Sequence, residues 1–140
     1  MWLYVITLGE LISAAGEVVA RGFSGNGDGL NNPAMCNVPD VGPVPVGWYT
    51  CLLFTDGEGN AVDHTTSSGE VMKAPVFRLV PDAATNVYGR SGLLVHGGTL
   101  SEGCIVIQHD GRILLKDGDR LQTVANLPVN SGIDEAEFGS

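Results

Sequence analysis

The stretch HGGTLSEGCIVI, residues 96–107, sets a histidine and a cysteine eight positions apart around a glycine-rich segment. A cysteine is a strong nucleophile as its thiolate, and an imidazole titrates near neutral pH. Together they could run acyl transfer, with His96 taking the Cys104 proton and later returning it to a leaving amine. GLLVHGG and GCIVIQ read as adjacent strands joined by Gly97 to Gly103, a hairpin with an expanded loop in which His96 and Cys104 face each other across the mouth. Directly paired positions on antiparallel strands hold their Cβ atoms about 4.5–5.5 Å apart, within reach of a thiol–imidazole hydrogen bond and a Cys⁻/His⁺ pair. Gly103 would let the backbone approach a substrate closely, and the amides around Cys104 are candidates for an oxyanion hole. Ser101 either orients the loop or the histidine, or satisfies a turn amide.

Other polar residues compete for roles. Arg90 precedes the histidine strand and Arg112 follows the cysteine strand. In a chain with only seven Lys plus Arg, each is a candidate to hold a substrate carboxylate through its forked donors, or to form a structural ion pair. Gly97 and Glu102, beside the pair, are expected to contact substrate. His109 follows Cys104 by five residues, but strand alternation should carry it away from the hairpin mouth, and His64 falls in the polar loop DHTTSSGE. No Cys/His cluster has metal spacing. GNGDGLNNP (25–33) and DGEGN (56–60) only loosely resemble calcium loops, lacking the full ligand spacing and the closing glutamate, so neither a metal nor a cofactor is expected.

The elements that must position these residues read as mostly β. Short runs rich in β-branched and aromatic residues recur at 2–8, 17–24, 47–54, 76–80, 91–97, 103–108 and 120–125, separated by glycine and proline turn signals. DGEGN is hairpin chemistry. Helix is scarce, with candidates only at 109–118 and in a single turn near 82–86. At 44% apolar and 16% charged residues, the 140-residue chain can bury one core, and a single domain over 1–128 is expected, followed by an acidic, aperiodic tail over 129–140. A net charge of −9 leaves no basic face to neutralise phosphates, which argues against nucleic acid as a partner. The apolar stretch MWLYVITLGELISAAGEVVA is broken at Glu10 and Glu17 and has no basic residue before Arg21, so neither a membrane span nor a cleaved signal peptide is expected. Cys36 and Cys51 read as small buried hydrophobes, with a disulfide between them as the alternative in an oxidising compartment.

Three segments read together, GFSGNGDGLNNP (22–33), GPVPVGWYTC (42–51) and NVYGRSGLLVHGG…SEGCIVI (86–107), closely resemble the L,D-transpeptidase-like catalytic domain. The resemblance is closest to the compact branch found among antibacterial effectors of type VI secretion systems, and it spans residues 2 to about 125. In the wider family the cysteine lies in a Ser/Thr-His-Gly-Cys motif downstream of a separate histidine. Here the corresponding residues are Ser101-Glu102-Gly103-Cys104, downstream of His96, so Glu102 replaces the motif histidine. The short spacing and the missing second histidine are features of the effector branch. The resemblance implies a compact β-sandwich or barrel with Cys104 as nucleophile and His96 as its catalytic partner, and peptidoglycan tetrapeptide stems as substrate. It also implies delivery by a type VI machinery without a signal peptide, action in the target periplasm, and a cognate immunity protein as partner. The alternatives are a catalytically idle wall-binding or adaptor module and a cysteine hydrolase acting on another amide.

Overall fold

In the segment Phe77–Pro81, Phe77 and Leu79 are buried while Arg78 and Val80 are exposed, the period-two pattern of a strand with one wet face. The same logic builds a closed barrel in the computed structural model, which describes residues 1–127. Its strands are β1 (Trp2–Val5), β2 (Glu10–Ile12), β3 (Val18–Ser24), β4 (Gly47–Leu53), β7 (Phe77–Pro81), β8 (Leu94–His96), β9 (Ile105–Ile107) and β10 (Asp119–Val124), in the order β1-β10-β4-β7-β8-β9-β3-β2. Closure leaves no free sheet edge among these eight. Tyr4, Leu11, Tyr49, Phe77, Ile105 and Leu121 project inward to form the core, where the Tyr49 hydroxyl donates to the Pro45 carbonyl at 2.7 Å. Cys51 is part of this core, and both Cys36 and Cys51 are free thiols.

A two-stranded hairpin, β5 (His64–Thr65) and β6 (Val71–Met72), lies outside the barrel. Neither it nor β2 is anticipated from composition, since two- and three-residue strands in polar or glycine-flanked sequence have almost no periodicity to read. DGEGN does turn as expected: the Asp56 carboxylate accepts the Glu58 and Asn60 amides, at 2.7 and 3.0 Å. The helix expected over 109–118 is one turn, α1 (His109–Arg112), whose Gly111 packs against Ala20 of β3. Near 82–86 the chain makes a β-turn closed by the Thr85 amide on the Asp82 carbonyl, and no helix. The tail expected over 129–140 lies outside the described residues.

The main correction concerns the strands that bear His96 and Cys104. β8 and β9 pair in parallel, with Val95 opposite Ile105 and His96 opposite Val106, so they are not the two arms of a hairpin. Residues 97–104 therefore cross back over the sheet to restart at the same end, a shorter connection than the dozen or more residues usual for parallel strands. Residues 94–96 and 105–107 are buried throughout, as continuously apolar parallel strands tend to be.

Candidate active site

Three loops converge immediately before Cys104. Ser101, 1% exposed, accepts from the Gly25 amide at 2.9 Å and the Gly103 amide at 3.2 Å through Oγ and donates from the same oxygen to the Cys104 carbonyl. Asn26 Nδ2 donates to the Ser101 carbonyl at 2.7 Å, and Ser24 Oγ donates to the Gly103 carbonyl at 3.3 Å. The loop after β3 thus grips the loop before β9. Ser101 thus both orients the loop and satisfies the Gly103 turn amide, and it makes no hydrogen bond to His96.

Arg90 supplies the third grip. Its Nη1 donates to the Cys36 and Pro43 carbonyls at 2.6 and 2.8 Å, and its Nη2 to the Gly42 and Glu102 carbonyls, both at 3.0 Å. All four terminal donors are therefore committed to backbone, and the fork expected to face a substrate carboxylate instead ties the 36–43 loop to the Cys104 loop. Gly103 has φ +126°, and a Cβ there would overlap Arg90 Nη2. Glycine at 103 is required so that the guanidinium can reach the backbone, a different reason from the close substrate approach expected. Arg112 is likewise enclosed: it donates to the carbonyls of Pro75 (2.8 Å), Ile107 (2.6 Å) and Lys73 (3.1 Å), and it rests on Gly97, where any side chain would overlap its Nη1. At 3% exposure, with these three carbonyls as partners, it clamps the 73–75 segment to the end of β9, the structural one of its two expected roles, and the glycine at 97 makes room for it.

Extending the parallel register by one residue sets Cys104 opposite Leu94, two residues short of the position facing His96. Leu94, His96, Cys104 and Val106 share the outward face of these strands, since Val95, Ile105 and Ile107 enter the core. Cys104 and His96 are therefore diagonal neighbours, about 8 Å apart at Cα for strands about 4.8 Å apart and two residues of roughly 3.3 Å rise, and not directly opposed as expected. The thiol sits 3.7 Å from the Gly92 carbonyl, toward the start of β8, whereas His96 ends that strand. A rotation about the Cys104 Cα–Cβ bond is what would turn the sulfur toward the imidazole.

Burial sets the charge state of both groups. It pushes the Cys104 thiol up to about 11, with the Leu94 amide lowering it and the Glu102 carboxylate raising it further. Burial also lowers His96, opposed by its hydrogen bond to the Gly97 carbonyl and by the Glu70 carboxylate. Near neutral pH the resting pair is thus thiol and neutral imidazole, in place of the ion pair expected from direct contact. Because His96 Nδ1 lies 2.5 Å from a carbonyl, which can only accept, Nδ1 holds the proton. Nε2 is left without the proton and can accept one.

Cys104 opens into a cleft of about 540 Å³ whose walls include Asp40, Phe54, His64, Glu70, Arg78 and Glu102. His64, placed by the sequence in a loop, lies on β5 and stacks on Phe54 with ring centroids 4.2 Å apart. His109 is on α1, exposed, 3.7 Å from Asp110 and outside this cleft. Among the described residues no group of three or more His, Cys, Asp or Glu could hold a metal ion. A second groove of about 380 Å³, between Leu53, Pro75, Phe77, Ile113 and Leu115, is apolar and excludes Cys104. Sequence reading missed Arg78, although the alternation in VFRLV already turned it outward.

Residues 19–127 match the Tlde1 domain, well over half of the chain. The chain belongs to the Tlde1 domain family. That family is one of type VI effectors, in accord with the branch the three quoted segments resemble. No curated protein matches the sequence. Among solved structures the chain is similar to the crystal structure of Mycobacterium tuberculosis L,D-transpeptidase 1, with a TM-score of 0.50 and 14% identity over 88% of this chain. It spans 57% of that structure's length. The shared feature is the fold, a mostly β, L,D-transpeptidase-like barrel in a Tlde1 domain. All three segments quoted for the resemblance meet at the Cys104 loop of this Tlde1 domain, the first through Ser24, Gly25 and Asn26, the second through Gly42 and Pro43, and the third through Arg90 and Ser101.

Proposed function

We propose that this Tlde1 domain is a cysteine-dependent L,D-carboxypeptidase and L,D-transpeptidase that acts on peptidoglycan tetrapeptide stems as an antibacterial toxin. The observation that supports this most is that Cys104, at the wall of a polar cleft, shares the outward face of β8 and β9 with His96, whose Nε2 is free to accept a proton. The Cys104 thiol turns from the Gly92 carbonyl, gives its proton to His96 Nε2, and its sulfur attacks the carbonyl carbon of the third residue of the stem. Because the Gly103 amide is engaged by Ser101, the Cys104 amide is the donor of the two assigned to the oxyanion that forms. Collapse breaks the C–N bond, D-alanine leaves with the proton from His96, and a thioester remains. Water attacking the thioester regenerates the thiol and a tripeptide carboxylate, whereas an amine completes transpeptidation or exchange for another D-amino acid.

Type VI delivery to a rival's periplasm, together with a cognate immunity protein, completes this reading. Among the described residues no helix is long and apolar enough to cross a membrane. The test is toxicity. Wild-type protein directed to the periplasm should kill, while Cys104→Ala and His96→Ala, each shown to be folded, should not. Killing that persists in Cys104→Ala would favour an idle wall-binding module, and killing with intact stem peptides would favour a cysteine hydrolase on another amide.

A further inference from the structure

Of the five arginines, four are committed within the described fold. Arg90 and Arg112 are enclosed by carbonyls, Arg21 pairs with Glu10 at 3.1 Å, and Arg120 pairs with Asp82 at 2.6 Å while lying over the Trp48 ring. Arg78 differs. Its side chain makes no hydrogen bond or ion pair with any other described residue, although the cleft it borders also contains Asp40, Glu70 and Glu102.

Its position follows from the register. Arg78 pairs with Leu94 across β7 and β8, and Leu94 stands opposite Cys104 across β8 and β9. The three form one row on the outward face. With strands about 4.8 Å apart, the Arg78 and Cys104 Cα atoms are about 10 Å apart, the length of about three extended residues at roughly 3.3 Å each. Phe77 and Leu79 fix the strand from inside, so the guanidinium is anchored at its base and free at its tip.

We infer that Arg78 binds a carboxylate of the substrate and so determines specificity for the reaction at Cys104. This rests on the function proposed above and adds to it a residue for which the sequence offered Arg90 and Arg112. The guanidinium fork matches a carboxylate bidentately, and among the described residues Arg78 is the one Lys or Arg lining a cleft whose other charged walls are Asp40, Glu70 and Glu102. A stem peptide has carboxylates of two origins, the C-terminus of the departing D-alanine and the side chain of the diamino acid that stays on the sulfur. Both present the same chemistry to Arg78.

The experiment compares wild type, Arg78→Lys and Arg78→Gln on three purified disaccharide tetrapeptides: the free acid, its C-terminal carboxamide, and the peptide amidated on the diamino-acid side chain. Release of the fourth residue gives kcat/KM, and calorimetric titration gives affinity. Arg78→Gln should lower kcat/KM on the free acid by about tenfold, the usual effect of one charge-assisted pair in a partly covered site, and Arg78→Lys should recover only part of it. One amidated peptide should be insensitive to the substitution, and which one identifies the carboxylate. Equal loss on all three peptides, or wild-type rates for Arg78→Gln, would overturn the inference while leaving the reaction intact. If wild type releases nothing from any peptide, the proposed reaction fails. Affinity for the free acid that still falls in Arg78→Gln would then uphold the carboxylate site, and unchanged affinity would refute it.

Discussion

Replacing Gly103 with alanine attacks the Cys104 loop at two points. The backbone there has φ +126°, a conformation L-residues rarely adopt, costing about 1–3 kcal/mol. The new methyl would also overlap Arg90 Nη2 and push the guanidinium off carbonyls of Cys36, Gly42, Pro43 and Glu102. A hydrogen bond to a charged group contributes about 1.5–3 kcal/mol, so losing even one raises the total to roughly 3–6 kcal/mol, a large part of the 5–15 kcal/mol typical of a domain. Gly89→Ala is the matched control: φ is +71° but no atom stands near the added methyl, so only the backbone term of about 1–2 kcal/mol applies. Urea titration of the three proteins measures both, and thermal melting should show a drop of about 4 °C per kcal/mol at this size. If Gly103→Ala loses no more stability than Gly89→Ala, Arg90 does not lock this loop, and the argument that the three loops are held together through it is refuted.

Two further outcomes follow from the charge states. Because burial pushes the Cys104 thiol up to about 11, its alkylation rate in the free protein should keep climbing about tenfold per pH unit between pH 7 and 9; a rate already flat by pH 7 would reveal a resting Cys⁻/His⁺ pair. Because burial lowers His96, the unfolded chain binds its proton more tightly than the folded one. Stability from this group is therefore full above the unfolded value of about 6.5 and is lost as pH falls through the lower folded value. A His96→Gln variant should lose less stability than wild type between pH 7 and 5, and parallel curves would contradict the assignment.

How much of this was legible in the sequence differs residue by residue. The longer strands were, because VFRLV and GWYTCLL write their inward and outward faces in alternation, and His96 and Cys104 stand out as a candidate pair because thiol and imidazole are scarce in this chain and flank one glycine-rich segment. The direction of β8 against β9 was not. Eight residues suit a hairpin better than a parallel return, and the crossing loop is held by hydrogen bonds from Ser24, Gly25, Asn26 and Arg90, which lie far from it in sequence. The arginines illustrate the same limit. Arg90 and Arg112 lie closest in sequence to the reactive pair, but their donors meet carbonyls from residues 36–43 and 73–75, which no local pattern links to them. Arg78 was readable as an outward residue, yet only the barrel register shows that it shares a row with Cys104.

The central claim is that Cys104 forms a thioester with the stem peptide, and intact-protein mass spectrometry after brief mixing with disaccharide tetrapeptide tests it most directly. Wild type should gain the mass of the tetrapeptide donor less D-alanine, on the peptide containing Cys104, as free D-alanine appears, and Cys104→Ala should show neither. D-alanine released by Cys104→Ala at the wild-type rate, or an adduct that maps to Cys36 and not to Cys104, would contradict the account.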